Sequence, residues 1–202
     1  GMDSARTVRA LVNLDHLLLS NDAVQATYDE MLSKVRAIPG VAGAALASSD
    51  PYGAGRAVSA HTLSRDADFF WPPGSPQVPI EAAVGDGFFR ALAAGSLRGR
   101  DFEPTDTRGA APVAIINAPL ARILFPAEDA LGKCVILPRR AGERSGSCVT
   151  VVGVLGGVWY SSVVNRDKPM AYVPLAQRTG YDGVWRPRGM FVRVEGDPQS
   201  TA

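Results

Sequence analysis

From Thr7 to Leu14 the order TVRALVNL alternates Val8, Ala10, Val12 and Leu14 with Arg9, Leu11 and Asn13, which predicts a strand with one better-buried face. A helix is predicted next. Ser20, Asn21 and Asp22 offer capping oxygens, and Val24, Tyr28, Met31, Val35 and Ile38 then recur at helical spacing as one apolar stripe, which Pro39 and Gly40 end. Val41 to Ala47 is small and apolar, suiting a strand held close to a helix. The unit Thr7 to Ala47 therefore reads as strand, helix, strand, one half of a split α/β sandwich.

Beyond it, Asp50, Pro51, Tyr52 and Gly53 break the pattern, and a polar region containing FFWPPGSP runs to Pro79, where a lobe boundary is expected. Ile80 to Val84 predicts a short strand, and Phe88, Phe89, Leu92 and Ala93 an amphipathic turn before Gly95. The stretch Leu97 to Lys133 then orders a turn, a buried strand over Val113 to Ile116 and a helix over Pro119 to Phe125. Pro119 is tolerated in the first helical turn, where its missing N–H costs nothing. Two β-rich runs, KCVILP and SCVTVVGV, flank the polar loop RRAGERSG as a hairpin, and strands over Ala171 to Val173 and Met190 to Val194 complete a β-rich second half.

The chain has 202 residues, 46% of them hydrophobic, enough to bury a core. Its formal net charge of +1 lacks the basic footprint a sequence-independent nucleic-acid binder needs, so no nucleic acid is expected as a partner. No run approaches the roughly 18 apolar residues of a membrane-spanning helix. Gly1 ahead of Met2 reads as a remnant of tag cleavage, and the chain as an excised segment of a larger protein.

Cys134 and Cys148 are the two cysteines, one on each run of the hairpin, where they would face each other. A bridge closing a loop of about 15 residues contributes about 3 kcal/mol in the chain-entropy picture and persists only in an oxidising compartment. The alternative is a pair of small buried thiols.

Recognisable chemistry is sparse. Asp101, Glu103 and Asp106 place three carboxylates close together, but their spacing fits no calcium loop, and a structural turn with Arg100 pairing a carboxylate and Phe102 as anchor is the expectation. Ala127 to Cys134, AEDALGKC, falls short of a phosphate-binding loop at both its first and last positions, so ATP hydrolysis belongs to another subunit or domain. His16 and His61 belong to no hydrolase or zinc motif, and no GxSxG or CxxC occurs. No catalytic residue, cofactor or metal is assigned. Phe69, Phe70 and Trp71 are candidate partner contacts, or else rings that pin a long loop; Arg139 and Arg140, with Arg144, are either a solvated turn or a second candidate contact.

The segments RAIPGVAGAALAS, GDGFFRALAAGSLRGRDF, PVAIINAPLARILFP, ALGKCVIL, VTVVGVLGG and MAYVPLAQ, in that order, cover nearly the whole chain. In order and spacing this sequence resembles the MacB-like periplasmic core domain of FtsX/MacB-type ABC transporter permeases. The resemblance implies an α+β fold in two lobes: a porter-like split α/β sandwich, 5–50 plus 186–202, and an inserted β-rich, sabre-like lobe, 51–185. The chain stops at Ala202, where relatives continue through a further helix and strand, so an incomplete porter lobe with an exposed sheet edge is expected.

The family further implies a non-enzymatic domain on the periplasmic face of the cytoplasmic membrane, within a dimeric integral membrane protein. A cytoplasmic ABC ATPase is the implied partner, with an accessory protein outside the membrane, and the implied role is to couple ATP-driven helix movement to substrate export or to that accessory protein. The rival reading is an extracytoplasmic module that binds a small ligand or lipid in a cleft between lobes.

Overall fold

A computed structural model describes residues 6–14, 17, 19–48, 64–66, 80–137, 147–156, 169–177, 187 and 189–196. Its elements are β1 (Thr7–Leu11), α1 (Asn21–Arg36), β2 (Val41–Ala47), β3 (Ile80–Val84), α2 (Phe88–Ala91), β4 (Ser96–Gly99), β5 (Val113–Asn117), α3 (Ala118–Leu124), β6 (Cys134–Leu137), β7 (Ser147–Gly156), β8 (Met170–Pro174) and β9 (Gly189–Val194). The described strands form one nine-stranded mixed sheet in the order β1-β9-β2-β3-β8-β5-β7-β4, with β6 on β7. The fold class is α+β.

Period-two alternation divides the strand residues between two faces. One face turns Ala45, Ala47, Val84, Ile115, Tyr172 and Phe191 toward Phe88, Phe89, Leu92 and Phe102. The other face carries two clusters. Ala83, Ala114, Ile116 and Ala171 pack under Leu120 and Leu124 of α3; Ala44, Leu46 and Met190 pack under Val24, Tyr28 and Leu32 of α1.

α1 begins where the Ser20 hydroxyl accepts from the Ala23 amide at 3.3 Å, with Asp22 in its first turn and Lys34 and Arg36 in its last, each favourable to the helix dipole. Its buried stripe differs from the expected one. Val24, Tyr28 and Leu32 are buried, Met31 and Val35 are half-buried, and Ile38 is 49% exposed. The helix ends at Arg36 and the chain turns at Gly40, which has φ 85°, so Ile38 lies outside the last helical turn and leaves the stripe.

The expected buried face of the first strand is also corrected. β1 stops at Leu11, and Val8 (42%) and Ala10 of the expected buried face are both exposed. α1 packs against β2 and β9, and β1 lies at the margin of the sheet, so of the expected face Val12 enters the core and Leu14 packs against it, both beyond the strand. β4 was not foreseen. Its sequence SLRG reads as a turn, yet it pairs with Gly153–Gly156 of β7, and Gly99, at φ 91°, leaves room for the Val152 carbonyl that a Cβ would strike.

Candidate functional site

The first and last described strands are neighbours in the sheet. β1 and β9 are antiparallel neighbours with Thr7 opposite Arg193 and Leu11 opposite Gly189, and β9 also ladders with β2 from Val41↔Val194 to Ala47↔Gly189. β9 thus lies between the two strands of the first strand-helix-strand unit, as expected of a strand returning to the same sheet. Two arginines brace this region: Arg36 Nε donates to the Ala44 carbonyl at 3.0 Å, and Arg193 Nε to the Ala91 carbonyl at 2.9 Å.

The three clustered carboxylates divide their roles. Asp106 is buried and accepts two parallel hydrogen bonds from the Arg100 guanidinium, at 2.8 and 2.9 Å, and a third from the Glu103 amide at 2.9 Å. Burial pushes the Asp106 carboxyl up, but the Arg100 hydrogen bonds, the Glu103 amide and the Arg100 charge outweigh it, so its pKa lies below the ordinary carboxylate value. Asp101 goes the other way: burial raises it, against the Arg90 and Phe102 amides that donate to it at 2.9 and 2.7 Å. Phe102, 1% exposed, anchors the turn. The cluster is a folded turn, and no group of three or more potential ligands able to hold a metal ion occurs among the described residues.

The loop resembling a phosphate-binding motif spends its donors within itself and on the sheet. The Gly132 amide donates to the Val151 carbonyl, the Val151 amide donates to the Lys133 carbonyl, and Lys133 Nζ lies 2.6 Å from Glu128. Asp129 takes the Leu131 amide and a paired contact from Arg98, which hold its carboxyl below the usual range.

Sequence reading missed Asn117 as a node. Buried at the end of β5, its Oδ1 caps α3 by accepting from the Leu120 amide at 3.0 Å and also accepts from the Met170 amide at 2.9 Å, where β8 begins. The signal was present: an Asn directly before Ala-Pro is a strong N-cap.

Cys134 and Cys148 are joined by a disulfide, with Cα atoms 5.4 Å apart. They are not directly opposed. Cys134 pairs with Thr150 and Cys148 with Ile136, so the bridge runs across a diagonal of the β6–β7 ladder. The other candidate residues, Phe69, Phe70, Trp71, Arg139 and Arg140, lie outside the described residues, as do Arg144, His16 and His61.

A sequence model of the MacB-like periplasmic core domain matches residues 4–202. The chain belongs to this family. Two solved structures share its fold. The periplasmic region of MacB from Actinobacillus actinomycetemcomitans is 14% identical with a TM-score of 0.57, over 99% of this chain and 79% of that one. The extracellular domain of the noncanonic ABC-type transporter YknZ from Gram-positive bacteria is 19% identical with a TM-score of 0.55, over 96% of this chain and 88% of that one. No curated protein sequence matches the chain. MacB-like periplasmic core domains are parts of ABC transporter permeases that work with a cytoplasmic ATPase, and these homologues are periplasmic or extracellular domains. Among the described residues no helix is long and apolar enough to cross a membrane.

Proposed function

We propose that this chain is a mechanical domain on the periplasmic face of the cytoplasmic membrane. It carries movement of its parent permease's membrane helices, driven by the cytoplasmic ATPase, to substrate export or to an accessory protein outside. The parent works as a dimer, and the domain performs no catalysis. Its two lobes are 5–50 plus 186–202 and 51–185.

The observation that carries this reading is the pairing of Thr7 with Arg193. A domain inserted between two membrane helices receives their displacement at the two points where the chain joins it. At the first of them, β1 is laddered to β9, and β9 feeds β2 directly. Packed elements pass such displacement on because a close-packed core shifts between discrete arrangements and resists continuous deformation.

The location is tested in intact cells making the parent permease with Arg108→Cys, at an exposed loop position. A membrane-impermeant maleimide is expected to label it before lysis. Labelling only after lysis would contradict the reading.

A further inference from the structure

The nine-stranded sheet has a weak line. Among the described residues the β2–β9 ladder holds six residue pairs and β3–β8 five, whereas β2 and β3 share one, Ala47↔Val84. The backbone bonds of that pair run from the Ser48 amide to the Ala83 carbonyl and from the Gly85 amide to the Leu46 carbonyl, each 2.8 Å. A side chain then stands in for a missing ladder carbonyl: the Ala83 amide donates to Ser48 Oγ at 3.1 Å. Ser48 is 7% exposed, so without that hydroxyl a buried amide loses its acceptor.

The two faces of the sheet treat this seam differently. On one face the core is continuous: Ala45, Ala47 and Phe191 from the β1-β9-β2 side pack with Val84, Phe88 and Tyr172 from the other. α2 straddles the line there. Its Phe88 ring meets Phe191 edge-on at 6.0 Å, its Ala91 carbonyl receives Arg193 Nε, and Gly43 of β2 has no room for a Cβ, which would lie 2.9 Å from Ala91 Cα. On the opposite face the α1 and α3 clusters are separate among the described residues.

We infer that the β2–β3 seam is a hinge and that α2 is its latch. The half-sheet β1-β9-β2 and the half-sheet beginning at β3 swing about an axis along the α2 face, opening and closing the gap between α1 and α3. Ser48 and Arg193 are positioning residues that hold one setting. This inference concerns the chain alone and stands whether or not the transport reading does.

The test uses the purified chain with spin labels on non-canonical residues at exposed positions 33 in α1 and 122 in α3, leaving the disulfide intact. The unmodified background is expected to give one narrow distance peak. Ser48→Ala and Arg193→Ala are each expected to broaden it roughly twofold or add a second peak, while Arg193→Lys, which keeps a cationic donor, stays near the starting width. A control pair at 108 and 122, both beyond the seam, is expected not to change. Unchanged widths in both alanine variants, or equal broadening of the control pair, would overturn the hinge. Hydrogen exchange of the unsubstituted chain gives a second reading: the Ser48, Ala83 and Gly85 amides are expected to exchange before those of the β2–β9 and β3–β8 ladders, and equal protection would also overturn it.

Discussion

The Tyr28 hydroxyl donates to the Pro187 carbonyl at 2.9 Å, joining residues 159 apart in sequence. Tyr28 is buried in the middle of α1, and Pro187 precedes β9, so one bond fastens the helix to the returning strand. Tyr28→Phe keeps the ring and leaves a buried carbonyl without this donor. It is expected to cost about 1–3 kcal/mol, read as a lower urea midpoint with an unchanged m-value. A midpoint within error of the parent would show that the bond does not secure the helix.

Asp106 gives the domain an acid-sensitive point. Its folded-state pKa is depressed, so the stability it contributes is fully present above its unfolded pKa and is lost as pH falls through the folded value. At neutral pH Asp106→Asn is expected to cost about 1.5–3 kcal/mol, the worth of hydrogen bonds to a charged group. The gap between parent and variant is expected to shrink as pH falls below the ordinary carboxylate pKa. Denaturation curves across that range check it, and a gap that stays constant would assign the loss to packing and not to charge.

The bridge between Cys134 and Cys148 closes the hairpin, with a sequence separation of 14. Replacing both with Ser is expected to cost about 3 kcal/mol, because the unfolded chain regains the freedom of an open loop. Mass spectrometry of unreduced, alkylated protein is expected to find no free thiol. Two alkylated cysteines would refute the bridge.

α2 ends in a left-handed residue that is not glycine. Ala93 has φ 48°, while the Ala94 amide reaches back to the Phe89 carbonyl and the Ala93 amide to the Arg90 carbonyl, the pattern of a Schellman motif. An alanine in that conformation carries about 1–2 kcal/mol of strain, and Ala93 is exposed, so it has no buried packing to lose. Ala93→Gly is expected to raise the thermal midpoint by a few degrees, corresponding to about 1 kcal/mol. A lower midpoint would show that chain entropy outweighs the strain.

Periodicity made much of the scaffold legible. The strands at Val41–Ala47 and Ile80–Val84 fall where alternation and short apolar runs put them, and α1 starts at its capping cluster. The misses share a physical cause, since they depend on which neighbour covers an element. Val8 and Ala10 look like core residues until β1 is found at the sheet margin, and SLRG looks like a turn until β7 offers it a partner. The roles of Tyr28 and Ser48, and the second bond of Asn117 to Met170, were illegible for the same reason, because the partners Pro187, Ala83 and Met170 are brought near only by the fold. The Arg100 turn could be anticipated because its partner lies six residues away.

The central claim is that this domain is displaced by a motor on the other side of the membrane. Its most direct test is the parent permease with its ATPase, reconstituted in nanodiscs, with donor and acceptor dyes at residue 33 of the domains of its two copies. A transfer efficiency that switches between two values with ATP binding and hydrolysis, and stays fixed with an ATPase that cannot bind nucleotide, is the predicted result. One efficiency throughout the cycle while ATP is being consumed would contradict the account.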